Sequence, residues 1–145
     1  MHSRIKTIVR ALVTKYKTNN VYELAKCLGV VLVVTNLGSS CAGSYMHLHR
    51  SKTIFLNSIL NEYERIVVLA HEIGHAVLHE KTNCYFMKSR TLFLTSKIER
   101  EANLFASEFL IQDDILNKYE GYTLDEIAQA ENILPDLLKL KFDMI

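Results

Sequence analysis

The chain has 145 residues and a formal net charge of +1, the size of one compact domain whose weak overall field singles out neither nucleic acid nor an anionic membrane as a partner. Cys27, Cys41 and Cys84 are odd in number and share no Cys-x-x-Cys pair, which argues against a disulfide framework or a thiolate zinc knuckle and fits a reducing compartment. No apolar run approaches the ~18 residues that span a bilayer, and the basic N-terminus lacks a signal-peptide core, so a cytoplasmic protein is expected.

In chain order, Ile5, Ile8, Val9, Leu12, Val13 and Tyr16 recur at three and four residues, the period of a helix packing one face on a core. Asn20 with Glu23 three residues later resembles a capping box for a second short helix ending at Gly29, so the N-terminal 1–29 is expected to be helical. Residues 30–34 are short, apolar and β-branched and read as a buried strand. Residues 43–48 and 53–57 then read as an antiparallel hairpin joined by His49, Arg50, Ser51 and Lys52. A helix is expected over about 61–80, opened by an Asn61/Glu64 capping box, and another over about 97–111 on the pattern Ile98, Ala102, Phe105, Ala106, Phe109 and Leu110. Between them Tyr85, Phe86, Leu92, Phe93 and Leu94 line a cleft or fill core. Thr123 with Glu126 caps a helix to about 131, and Pro135 opens the last, completing C-terminal helices over about 123–141. The expected fold is therefore α+β: a single domain of 1–145, with a small three-stranded antiparallel sheet over about 30–57 packed with a central helix over about 61–80 and further helices.

Charge is uneven along this chain. The first 22 residues carry Arg4, Lys6, Arg10, Lys15 and Lys17 and no acid, whereas 108–136 holds eight acids against Lys118 alone. Solvated helix faces account for both stretches.

The most informative five positions are 71–75, His-Glu-Ile-Gly-His. Positions four apart lie on one helix face, with Cβ atoms about 5–6 Å apart, so His71 and His75 can hold one metal ion between them while Glu72 stays free of it. Two imidazole ligands and one carboxylate proton acceptor are what a zinc-dependent hydrolase needs to make bound water nucleophilic. The motif sits between Ile66, Val67, Val68, Leu69, Ala70 and Ala76, Val77, Leu78, inside a helix apolar nearly all round and hence buried. Histidines hydrogen-bonded to backbone carbonyls would also satisfy such a core, but a metal satisfies the whole cluster directly. Gly74 in the helix interior costs about 1 kcal/mol relative to alanine and marks a place where another backbone comes close.

A catalytic zinc takes three protein ligands and keeps a fourth place for water. His79 is unsuitable, because three ligands on successive turns of one straight helix would span about 12 Å. The segment 98–103 offers Glu99 and Glu101. On a helical wheel Glu101 lies about 40° from Phe105 and Glu99 about 80° from Phe109, so Glu101 points more nearly into the core, with Glu99 the alternative.

The blocks Phe55-Leu56-Asn57, Ala70-His71-Glu72-Ile73-Gly74-His75 with Leu78-His79, and Glu99-Arg100-Glu101-Ala102-Asn103-Leu104-Phe105-Ala106 resemble the ImmA/IrrE family of metallopeptidases, over most of the chain from about 16 to 111. The pairing of an AHEIGH block with a downstream EREANLFA block is far more specific than either alone. The resemblance implies a zincin-like domain built around a central metal helix, in which His71, His75 and Glu101 bind one Zn2+ and Glu72 is the catalytic base. It departs at Gln112, where members commonly carry a proline. It also implies a substrate: a separate transcriptional repressor of a phage or mobile element, cleaved as a protein, with direct nucleic-acid binding and membrane association not expected. The oxyanion donor stays open among Tyr45, His47, His49, His79 and Tyr85, and a hairpin strand near Tyr45 or Phe55 could pair with an extended substrate. The alternative function is a non-catalytic, zinc-containing anti-repressor that acts by binding the repressor.

Overall fold

The computed structural model describes residues 2–87 and 96–143. Seven helices and four strands are found among them: α1 (His2–Tyr16), α2 (Val21–Cys27), β1 (Val31–Thr35), β2 (Cys41–Leu48), β3 (Ser51–Asn57), α3 (Glu62–Leu78), β4 (Cys84–Met87), α4 (Lys97–Leu110), α5 (Ile115–Lys118), α6 (Leu124–Glu131) and α7 (Pro135–Lys141). The α+β class expected from the pattern holds. Leu92, Phe93 and Leu94 lie outside the described residues.

The sheet differs from the expected three antiparallel strands. Its order is β1-β3-β2-β4, and β1 runs parallel to β3 while the other two pairings are antiparallel. The fourth strand, β4, adds to the outer side of β2, a long-range pairing that local periodicity does not report. Parallel pairing of β1 requires the chain to leave β1, cross and return through β2. Asn57 anchors that crossing: its fully buried side-chain amide donates to the carbonyl oxygens of Gly38 and Cys41, 2.7 Å each. β1 was expected to be buried but is an edge strand, with Val31 and Val34 exposed. The hairpin turn is tighter than expected, with only His49 and Arg50 between the strands, both at positive φ (48° and 66°). Two positive φ values mark the turn type whose twist matches the flanking strands, here without the glycine that usually supplies them.

The layers stack as sheet, α3, α4, and then α1 and α7 against α4. This order explains why α3 is apolar all round: 67–76 are buried without interruption between the sheet and α4. Two glycines set the spacing. A Cβ on Gly43 would stand 2.8 Å from Val68 Cγ1 and 2.9 Å from the Phe55 carbonyl oxygen, so β2 comes close to α3 only because the side chain is missing. A Cβ on Gly74 would stand 3.0 Å from Phe105 Cβ and 3.1 Å from Ala102 Cα, the close backbone approach that an interior helix glycine signals.

Local caps form where the sequence marks them. Asn61 and Glu64 complete a reciprocal capping box at α3, and Thr123 and Glu126 another at α6. At α2 only half of the expected box forms. Asn20 accepts from the Glu23 backbone N–H, while the Glu23 carboxylate takes the Thr18 hydroxyl instead.

The basic and acidic stretches are not merely solvated faces. Arg4 pairs with Glu101, Lys6 and Arg10 with Asp113, and His2 with Glu108 and Asp143. The Lys141 ammonium is buried between Glu108 and Asp113. Of the acids in 108–136, Glu108 and Asp113 take part in these ion pairs, which clamp α1 and α7 onto the α4 end. No helix of the described residues is long and apolar enough to cross a membrane.

Candidate metal centre

α3 and α4 cross at Gly74 and bring three side chains to one point. His71 Nε2 lies 3.0 Å from Glu99 Oε2, and His75 Nε2 lies 3.0 Å from Glu99 Oε1. Their ligand atoms fall within 4.8 Å of one another and all three residues are buried. The two imidazoles stand edge to face, with centroids 4.9 Å apart, so their ring nitrogens converge on one point and not on each other.

It is Glu99, the alternative, and not the expected Glu101, that stands against the two histidines. The Glu101 carboxylate is turned away, with Oε1 3.0 Å from His79 Nε2 and Oε2 accepting from Arg4 Nη2 at 2.6 Å. Two residues apart on a helix is about 200° of rotation, so only one of the two carboxylates can face α3. The wheel argument took Phe105 and Phe109 as the inward direction. In fact α4 is enclosed by α3, α1 and α7, and 101–109 are buried without a break, so inward is not a single direction. A readable signal did exist. Glu99 and Asn103 are four apart and share a face, and both meet His71: Glu99 at Nε2, and Asn103 Oδ1 accepting from Nδ1 at 2.7 Å. Asn103 is the partner of His71 that sequence reasoning passed over.

The group brings two imidazoles and a carboxylate to one buried point. Nδ1 of His71 donates to Asn103 and its Nε2 stands 3.0 Å from the Glu99 carboxylate, so both ring nitrogens are engaged. His75 Nε2 is close enough to Glu99 for charge attraction, yet it is out of line for a hydrogen bond and has no such partner. Burial lowers the His75 pKa; the Glu99 carboxylate opposes this and the His71 charge reinforces it. Burial would raise the Glu99 pKa, but His71 and His75 outweigh that and hold the carboxyl well below its usual range. Glu72 is fully buried beside this group, with neither carboxylate oxygen hydrogen-bonded. Burial, and then the Glu99 charge, push its pKa well above the usual carboxylate value. An enclosed, unpartnered carboxyl next to converging His, His and Glu donors is costly unless the site has an occupant, and this donor set suits a borderline-soft divalent ion.

Residues 25–136 match the family model of the M78 peptidases, described as the IrrE N-terminal-like domain. The chain belongs to the M78 peptidase family. It is 43% identical over 142 residues to "Uncharacterized immunity region protein 2" of Bacillus phage phi105, covering 97% of this chain and 90% of that protein. It is 29% identical over 133 residues to "Metallopeptidase ImmA" of Bacillus subtilis (strain 168), covering 89% of this chain and 78% of that one. The M78 match spans both helices of the His-His-Glu group and the sheet beside them.

The other candidates separate clearly. The Tyr45 hydroxyl donates to the Glu80 carbonyl oxygen, His79 stands between His75 and Glu101, and His49 is exposed in the hairpin turn. The side chain of Tyr85 lies outside those described. β2 and β3, expected to pair with an extended substrate, each have a strand on both sides; β1 and β4 hold the edges.

Proposed function

We propose that this M78 peptidase is a zinc-dependent endopeptidase that hydrolyses a peptide bond in a separate protein, a transcriptional repressor of a phage or mobile element, in the cytoplasm. The observation that carries the reading is Glu72: a buried carboxyl with both oxygens unpartnered, one residue from His71 and facing the charge of Glu99. His71, His75 and Glu99 would hold one Zn2+, leaving a place for solvent. When bound, zinc acts as a Lewis acid that polarises a carbonyl and brings the pKa of water toward about 7.

Glu72 then serves as the proton carrier. Its raised pKa suits a group that takes a proton from the attacking water at a carboxylate oxygen and returns it to the leaving amine nitrogen. His71 is held by Asn103 with Nε2 aimed at the site. An extended substrate adding to a free sheet edge would be held by backbone hydrogen bonds, which favours cleavage in a flexible segment. The relative from a phage immunity region supports a substrate in phage regulation.

The test is incubation of purified protein and zinc with the repressor encoded beside it, comparing wild type with Glu72→Gln. Cleavage by wild type alone supports the peptidase. Equal relief of repression by both, without cleavage, would show an anti-repressor acting by binding.

A further inference from the structure

Behind the metal centre a second series of charged and polar groups runs outward from His75. His75 Nδ1 lies 2.9 Å from His79 Nδ1, and His79 Nε2 lies 3.0 Å from Glu101 Oε1. Arg4 Nη2, on α1, donates to Glu101 Oε2 at 2.6 Å. The His79 and Glu101 side chains are 8% and 6% exposed, while that of Arg4 is 57% exposed. We propose that His79, Glu101 and Arg4 are positioning residues that hold His75 with its proton on Nδ1 and its Nε2 lone pair directed at the metal. This rests on the zinc reading given above.

Donor and acceptor counting fixes the direction of the series. The Arg4 guanidinium only donates, and an ionised Glu101 only accepts, so Glu101 requires a proton on His79 Nε2. A neutral His79 then offers a bare Nδ1, which requires the proton on His75 Nδ1. That leaves His75 Nε2 as a lone pair, and this is the atom that lies against Glu99 without a hydrogen-bond partner. Reversing the direction would set an unprotonated His79 Nε2 against a carboxylate, two acceptors at 3.0 Å. With neutral rings, the geometry admits one arrangement.

The two ligand histidines are thus supported differently. His71 gives its Nδ1 proton directly to Asn103, from the same helix that supplies Glu99. His75 gives its proton to His79, whose own orientation depends on Glu101 and, across 97 residues of sequence, on Arg4. The first turn of α1 is thereby tied to the metal centre, and Glu101 contributes to the site without ligating in it.

The test measures the zinc dissociation constant of the full chain by chelator competition, with thermal unfolding of each zinc-free protein as the folding control. His79→Ala is expected to weaken zinc about 10- to 100-fold, the usual effect of losing a ligand's outer partner. His79→Asn places an amide oxygen where Nδ1 stands and is expected to recover most of that loss. Arg4→Ala is expected to weaken zinc by less than about tenfold. Wild-type affinity in His79→Ala, or no recovery in His79→Asn, overturns the proposal; wild-type affinity in Arg4→Ala removes α1 from it. Imidazole 15N shifts of zinc-loaded wild type provide a check free of variants. A proton on His75 Nδ1 is expected, and a bare Nδ1 overturns the proposal. Failure of wild type itself to bind zinc would overturn the parent reading as well, whereas equal binding by wild type and His79→Ala overturns this one alone.

Discussion

Glu72 is a costly residue to keep, since it is fully buried with neither carboxylate oxygen hydrogen-bonded among the described residues. Function and stability should therefore oppose each other at this position. Glu72→Gln is expected to retain zinc and lose about 10²- to 10⁴-fold in turnover, checked by metal analysis beside a cleavage assay. Glu72→Met removes the unsatisfied carboxyl while roughly keeping the volume. It should abolish cleavage and stabilise the zinc-free protein by about 1–3 kcal/mol, read as a rise in urea midpoint at unchanged slope. A lower midpoint would show that Glu72 has a structural partner. The role proposed for this residue could be inferred from sequence because the motif itself separates two histidines from one carboxylate. The choice between Glu99 and Glu101 could not, because the wheel needed to know that α1 covers one side of α4 and α3 the other.

Between elements, the α3–α4 crossing is what converts two local motifs into one site. Gly74 makes the crossing possible: a methyl there would meet the Ala102 backbone and Phe105 Cβ at 3.0–3.1 Å. Gly74→Ala gains up to about 1 kcal/mol of helix propensity and loses about 1–3 kcal/mol to overpacking against backbone that cannot yield cheaply. Net destabilisation is expected, with weaker zinc binding because the histidines and Glu99 stand on opposite sides of the gap. Equal stability and equal zinc affinity would refute the close-approach argument. The α1–α4–α7 clamp carries a pH signature. At His2 burial disfavours the charged form, but the bonds to Glu108 and Asp143 outweigh it and raise the pKa above 6.5. That contribution is fully present below 6.5 and lost as pH rises through the raised value. At Asp113 the bonds from Lys141 and Arg10 lower the pKa below 3.8. Its contribution is present above 3.8 and lost as pH falls through the lowered value. His2→Ala should therefore reduce Tm at about pH 5.5 and have little effect at about pH 8.5. A Tm difference that does not change with pH would contradict the clamp.

Across the whole molecule, what could be read in advance was what neighbouring residues decide. The Asn61/Glu64 and Thr123/Glu126 boxes rest on contacts within a few positions, and the apolar patterns of α1 and α3 on spacings within a single helix. Parallel pairing of β1 with β3, the addition of β4, and burial of Lys141 between Glu108 and Asp113 rest on partners far apart in sequence, and periodicity is silent on those. A metal held by His71, His75 and Glu99 would unite the two levels, since it would join α3 to α4. Removing it with a chelator should cost about 2.7 kcal/mol when zinc had been at 100 times its dissociation constant. For a chain of this size that is a Tm decrease of several degrees or more, and it should vanish in Glu99→Ala.

The most direct test of the central claim is zinc stoichiometry of purified Glu99→Ala and Glu101→Gln measured in micromolar free zinc. One zinc per chain is expected in wild type and in Glu101→Gln, and none in Glu99→Ala. Retention of zinc by Glu99→Ala with its loss from Glu101→Gln would contradict the account.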